Sequence, residues 1–81
     1  MRNFEVTVKQ LIRKEAGFHR PVTSTDYLVN DLDMDSLDKV ELTMMLEGEF
    51  GITIDDASTD HWVMVQDVVN HVKRLIPKGE L

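Results

Sequence analysis

The chain has 81 residues, with 15 Asp and Glu against 9 Lys and Arg, for a formal net charge of -6. That length supplies interior for one small core, read here as a single domain over residues 1–81, and excludes a second core or a large enclosed active site. The negative charge disfavours nucleic acid and anionic membranes and favours basic protein surfaces as partners, while the absence of cysteine excludes disulfides and leaves any thiol chemistry to an attached group.

Met1 to Lys9 contain no apolar signal core, and the longest uncharged apolar run, Trp62 to Val65, is far too short to span a bilayer. A cytoplasmic, soluble monomer without membrane insertion is expected. Phe4, Val8, Leu11 and Ile12 recur at i, i+4, i+7 and i+8, the spacing of one helical face. Asn3 suits the N-cap of this first helix, Arg13 and Lys14 complement the negative end of its dipole, and Gly17 closes it. From Phe18 to Met34 the periodicity fails. Pro21, the cluster Thr23-Ser24-Thr25-Asp26 and Asn30-Asp31 mark a long connection, pinned to the core by Leu28 and Leu32. Connections of this length in small domains tend to be functional or to cross a bundle end to end.

A second helix is expected from about Ser36 to Phe50, with Asp35 as N-cap and Asp38 at the third helical position facing the free N–H groups. Leu42, Met45, Leu46 and Phe50 form its inner stripe, Gly51 caps it, and Gly48 weakens its last turn. Ile52-Thr53-Ile54 alternates like a strand but has no second run to pair with, so it reads as an extended connector with both isoleucines inward. Asp55 or Asp56 caps a short third helix reaching about Trp62. Val65, Val68, Val69, Val72, Leu75 and Ile76 then mark a fourth helix, stopped by Pro77 and Gly79. Valine has modest helix propensity, so packing must hold this helix. The expected fold is all-α: a small four-helix bundle with three longer helices, one short third helix and a long first loop.

Ser36 at the first turn of the second helix is the candidate site. Unpaired backbone N–H groups and the positive end of the helix dipole favour a phosphodiester there, and capping by Asp35 frees the serine hydroxyl. Asp35-Ser36-Leu37 alone supports little more than a capped helix. In this chain, however, Asp35-Ser36-Leu37-Asp38 is followed by Val40-Glu41-Leu42, Leu46-Glu47, Glu49-Phe50, Gly51-Ile52 and Ile54. That succession resembles the prosthetic-group site of acyl carrier proteins, and the placing of all four helices agrees over nearly the whole chain.

The resemblance implies that Ser36, flanked by Asp35 and Leu37, carries 4'-phosphopantetheine, moved from coenzyme A by a Mg-dependent phosphopantetheinyl transferase. The arm's thiol holds acyl intermediates as thioesters for fatty-acid or related lipid biosynthesis. The protein is then a substrate of its partner enzymes and not itself a catalyst. Leu37, Glu41 and Met44 share one helix face, with Asp38, Glu47 and Glu49 nearby; the resemblance makes this face a docking surface for basic patches on acyl-loading, synthase and acyltransferase enzymes. It likewise makes Leu28, Leu42, Leu46, Ile54, Trp62 and Val68 the lining of an acyl pocket, although ordinary core packing accounts for the same residues.

Three departures qualify the resemblance. Asp33 stands where glycine is common in the family, Val63-Met64 where hydroxyl residues are, and Trp62 where an aliphatic residue is. Asp tolerates a left-handed turn; Val63-Met64 lacks an N-cap for the fourth helix; Trp62 could shorten or redirect the acyl pocket. A specialised carrier for polyketide or aminoacyl units is therefore an alternative. A calcium-binding domain is another, since Asp31, Asp33 and Asp35 stand at the first, third and fifth positions of an EF-hand loop, but Ser36 and Leu42 occupy the places of its glycine and bidentate glutamate. No bound metal is expected. An unmodified acidic helical adaptor is the third alternative. His19, His61 and His71 lie in unrelated surroundings and read as surface or helix-face residues.

Overall fold

The computed structural model describes residues 3–76, over which four helices follow one another: α1 (Phe4–Ala16), α2 (Ser36–Phe50), α3 (Asp56–Thr59) and α4 (Val65–Leu75). The expected stop at Pro77 and Gly79 lies outside the described residues. Among the described residues there is no strand, and an isolated antiparallel bridge joins Tyr27 to Met64. α1 begins where the Asn3 side chain accepts the Glu5 N–H at 2.9 Å, and ends at Gly17, whose φ of 65° is left-handed. α1 packs against both α2 and α4. The core joins Val8 and Ile12 of α1, Leu42 and Leu46 of α2, Val65, Val68, Val69 and Val72 of α4, and Ile54, Trp62 and Ile76.

The long first connection reaches this core through Leu28 and Leu32, as expected, and also through Met34. On α2, Met45 and Phe50 are only half-buried, whereas Thr43 is buried with its hydroxyl donating to the Lys39 carbonyl at 2.8 Å. Leu75, counted in the apolar stripe of α4, is exposed. At 3.6 residues per turn it lies ~80° round the helix from Val65, while Ile76 returns to the buried side. α3 is shorter than expected and ends at Thr59. Beyond it His61 N–H bonds to Ser58 O and Trp62 N–H to Thr59 O, an i to i−3 pattern that tightens the chain into a turn instead of extending an α-helix. Ile54 is buried and Ile52 packs against the core; the connector is held by Glu47 Oε2, which accepts the Ile54 N–H at 2.8 Å.

α4 starts without a side-chain cap from Met64, yet its first N–H groups are satisfied. The Val65 and Gln66 N–H groups donate to the carbonyls of Asp26 and Ser24, each at 3.0 Å, so the first connection caps the last helix. Asp67 Oδ2 accepts the N–H groups of Val63 and Met64, and Leu28 N–H donates to Val63 O. Asp26 itself is buried. Its carboxylate accepts the Thr23 N–H at 2.9 Å and a fork from Arg20 at 3.2 and 3.3 Å, while the Arg20 guanidinium lies 4.6 Å above the Phe18 ring. The Thr23 N–H foremost, and then Arg20, hold the Asp26 carboxyl below the usual carboxylate range.

Asp26→Ala should therefore cost about 1–3 kcal/mol in urea unfolding, because it leaves the Thr23 N–H and Arg20 without their acceptor. A carboxyl depressed in the folded state contributes stability that is complete above its unfolded pKa and is lost as the pH falls through the folded one. The difference between wild type and Asp26→Ala should accordingly shrink as the pH drops through and below the usual carboxylate range. Gly48 offers the opposite case: it is exposed within α2, and a Cβ added there meets nothing within 4 Å. Gly48→Ala should stabilise the protein by about 1 kcal/mol in the same assay.

Candidate functional site

Ser36 is exposed at the first residue of α2. The capping of this helix falls to its neighbours: Asp35 Oδ1 accepts the Asp38 N–H at 2.9 Å, and Asp38 Oδ2 accepts the Asp35 N–H at 3.1 Å. This reciprocal box fixes the first turn and leaves the serine hydroxyl out of the cap. The approach to it is also held. Asp31 Oδ2 accepts the Tyr27 N–H at 2.7 Å, Asp33 N–H donates to Val29 O and Met34 N–H to Leu28 O, and Asp33 takes the left-handed conformation with φ 56°. With Asp31 and Asp35 engaged in turns, the EF-hand spacing does not converge. Among the described residues no group of three acidic or histidine side chains is placed to hold a metal ion.

Ser36 opens onto a groove of about 490 Å³ between α2 and α3, lined on one side by Ser36, Lys39, Val40 and Thr43 and on the other by Asp56, Ala57, Thr59 and Asp60. Lys39 crosses one end, its Nζ donating to the Trp62 carbonyl at 3.4 Å. It is the one Lys or Arg between Asp26 and Asp67, and it lies one helical turn from Ser36.

The six residues expected at a docking face divide into two groups. Leu37 and Met44 are 63% and 65% exposed, and Glu41 and Glu49 are exposed as well. Asp38 and Glu47 are half-buried, with carboxylates accepting backbone N–H groups at Asp35 and Ile54. Val40, 55% exposed, joins Leu37 and Met44. Its i+3 spacing from Leu37 was the available signal, masked by its place inside the motif. Glu15 of α1 meets the same face. A hydrogen bond with Glu41, then desolvation and the charges of Glu41 and Asp38, hold its carboxyl above the usual carboxylate range.

Leu28, Leu42, Leu46, Ile54, Trp62 and Val68 are all buried and belong to one core cluster. His71, read from sequence as a surface or helix-face histidine, is instead buried: Trp62 Nε1–H donates to its Nδ1 at 3.0 Å. Its spacing of i+3 from Val68, at the edge of the apolar stripe of α4, was the sequence signal for that burial.

A family model described as the phosphopantetheine attachment site matches residues 6–72. The acyl carrier protein of Buchnera aphidicola subsp. Baizongia pistaciae (strain Bp) is 36% identical over 77 residues, covering 94% of this chain and 99% of that protein. A solved structure described as an acyl carrier protein of Mycobacterium tuberculosis superposes with a TM-score of 0.83 at 30% identity, covering 89% of this chain and 97% of the other. Matched from α1 to α4 in sequence and in fold, the chain belongs to the acyl carrier protein family: it is a carrier and not an enzyme, and its cofactor is 4'-phosphopantetheine.

Proposed function

We propose that this protein, as one carrier domain over residues 1–81, holds acyl intermediates for fatty-acid or related lipid biosynthesis on 4'-phosphopantetheine attached to Ser36 Oγ. The observation that carries the proposal is the exposed Ser36 at the start of α2, released from capping by the Asp35 and Asp38 pair. When bound, the cofactor supplies the thiol that this cysteine-free chain lacks. The residues suit it. The first turn of α2 presents backbone N–H groups toward a phosphate, Lys39 offsets the surrounding carboxylates, and the adjoining groove gives an extended arm a place to lie. Asp35 and Leu37 flank the attachment point, and Asp35 acts by holding the turn.

The exposed face of Leu37, Val40, Glu41 and Met44, with Glu49 beyond it, suits the basic docking patches of a phosphopantetheinyl transferase and of acyl-loading, synthase and acyltransferase enzymes. The charges of Glu41 and Asp38 add to the hydrogen bond with Glu41 and the desolvation that raise the Glu15 carboxyl, and an incoming Lys or Arg offsets those charges. Apolar Leu37 and the pliable Met44 supply short-range contact once charge has steered the encounter. The buried set Leu28, Leu42, Leu46, Ile54, Trp62 and Val68 is proposed as the interior that yields to an acyl chain.

Incubated with coenzyme A, Mg²⁺ and a broad-specificity transferase, the protein should gain one phosphopantetheinyl group by mass, mapped to Ser36, and Ser36→Ala should gain none. A wild-type chain that stays unmodified, or a Ser36→Ala chain that does not, would refute the assignment. Leu37→Ala should lower the transferase's kcat/KM about tenfold, or ~1.4 kcal/mol, without loss of stability because the side chain is exposed. For wild type the same quantity should fall as ionic strength rises toward and beyond the physiological range, where the screening length is ~8 Å.

A further inference from the structure

Trp62 is the only tryptophan of the chain, and it enters the core from the segment between α3 and α4. Its indole N–H is satisfied by His71 Nδ1 at 3.0 Å, and the two buried rings meet edge to face, at 77° with centroids 5.7 Å apart. Without that acceptor the buried N–H would carry the desolvation penalty of an unmet donor. Nδ1 accepts only in the neutral imidazole with its proton on Nε2. Burial and then the charge of Arg74 lower the His71 pKa, against an opposing effect from Asp55, which favours that neutral form. The main chain of Trp62 is tied as well, its N–H to Thr59 O at 3.1 Å and its carbonyl to Lys39 Nζ. Trp62 also lines an open depression of about 400 Å³ with Ser58, His61, Asp67, Asn70, His71 and Arg74. Trp62, 3% exposed, is thus part of the core and adjoins this depression.

We infer that His71 is a positioning residue that sets the length of acyl chain the carrier shelters, by locking Trp62 as a wall of the interior. The inference rests on the proposed acyl-carrying role and deepens it. A chain that enters among Leu28, Leu42, Leu46, Ile54 and Val68 meets a large ring that yields only by turning toward the outer depression, which breaks the bond to His71. Short chains stay inside the wall. Longer ones must either displace it or remain in solvent, where their thioesters are open to attack. Removing the acceptor leaves the indole N–H unsatisfied inside and satisfied by water outside, so the balance tips toward the open wall.

Thioesters from butyryl to palmitoyl on the Ser36-borne arm, cleaved with hydroxylamine to the hydroxamate and the free thiol, test this directly, with Trp62 fluorescence reporting the indole's surroundings. Wild type should protect short chains and leave long ones exposed. His71→Leu should slow cleavage of the long thioesters severalfold and shift the emission to the red, His71→Gln should restore the wild-type profile through its side-chain carbonyl, and Trp62→Phe should extend protection to longer chains and make His71→Leu silent. A Trp62→Phe carrier with the wild-type chain-length profile overturns the inference whatever the stability of the His71 variants. So does a folded His71→Leu carrier whose emission shifts while its profile does not. If no thioester forms on an arm attached at Ser36 in any variant, the carrier assignment falls and the inference with it; if thioesters form and only the length dependence is wrong, the inference falls alone.

Discussion

Asp26 is the point through which the two halves of the chain are tied. Its carbonyl caps the first N–H of α4, and its carboxylate, gripped by the Thr23 N–H and the Arg20 fork, keeps that carbonyl in place. A helix rich in valine, such as α4, depends on packing more than on propensity, so a cap delivered by a distant segment counts for much of its start. The same anchor draws the first connection across the bundle. From there Leu28, Leu32 and Met34 drop into the core, and the next residues in sequence are Asp35 and Ser36. The location of the candidate attachment point is therefore a consequence of how α4 is capped.

Once placed, the start of α2 is organised locally. Asp35 and Asp38 answer each other's backbone N–H groups, and carboxylates at a helix N-terminus are favoured by its dipole. Further along α2, a hydrogen bond with Glu41, then desolvation and the charges of Glu41 and Asp38, hold the Glu15 carboxyl up. The charge part of that shift is offset by any basic surface that covers it. The exposed Leu37, Val40 and Met44 lie among these charges, so long-range attraction and short-range apolar contact are presented on one face.

Much of this was legible in the sequence because the signals are local. Asn3, Gly17, Asp35, Asp38 and Gly51 each act within one turn, and the structure shows the caps they predicted. The apolar periodicity of α1 and α4 likewise marked Val8, Ile12, Val68 and Val72 as core. What was not legible depends on segments distant in the chain. Nothing near Met64 indicates that Ser24 and Asp26 carbonyls cap α4, and nothing beside His71 indicates that Trp62, nine residues earlier, donates to it. Lone histidines are read as exposed by default, and only the fold supplied the burial and the partner. The end of α3 was missed for a different reason: Asp60 and His61 carry no strong stop signal, and the helix yields there because the chain must turn to bring Trp62 into the core.

These two kinds of control bear on different functions. The attachment turn is closed by side chains within residues 35–38, so it does not require any particular residue at 62. The interior, by contrast, is bounded by the segment between α3 and α4, whose shape is set by turns, by the bond from Lys39 of α2, and by the bonds to Asp67 and His71 of α4. Lys39 is where the two meet, since its stem lies in the groove beside Ser36 while its Nζ holds the Trp62 carbonyl. On the proposed reading, the attachment chemistry can stay fixed while the residues at 62 and 71 alter what the interior accepts. The Trp62 segment and the groove beside Ser36 are thus joined directly through Lys39.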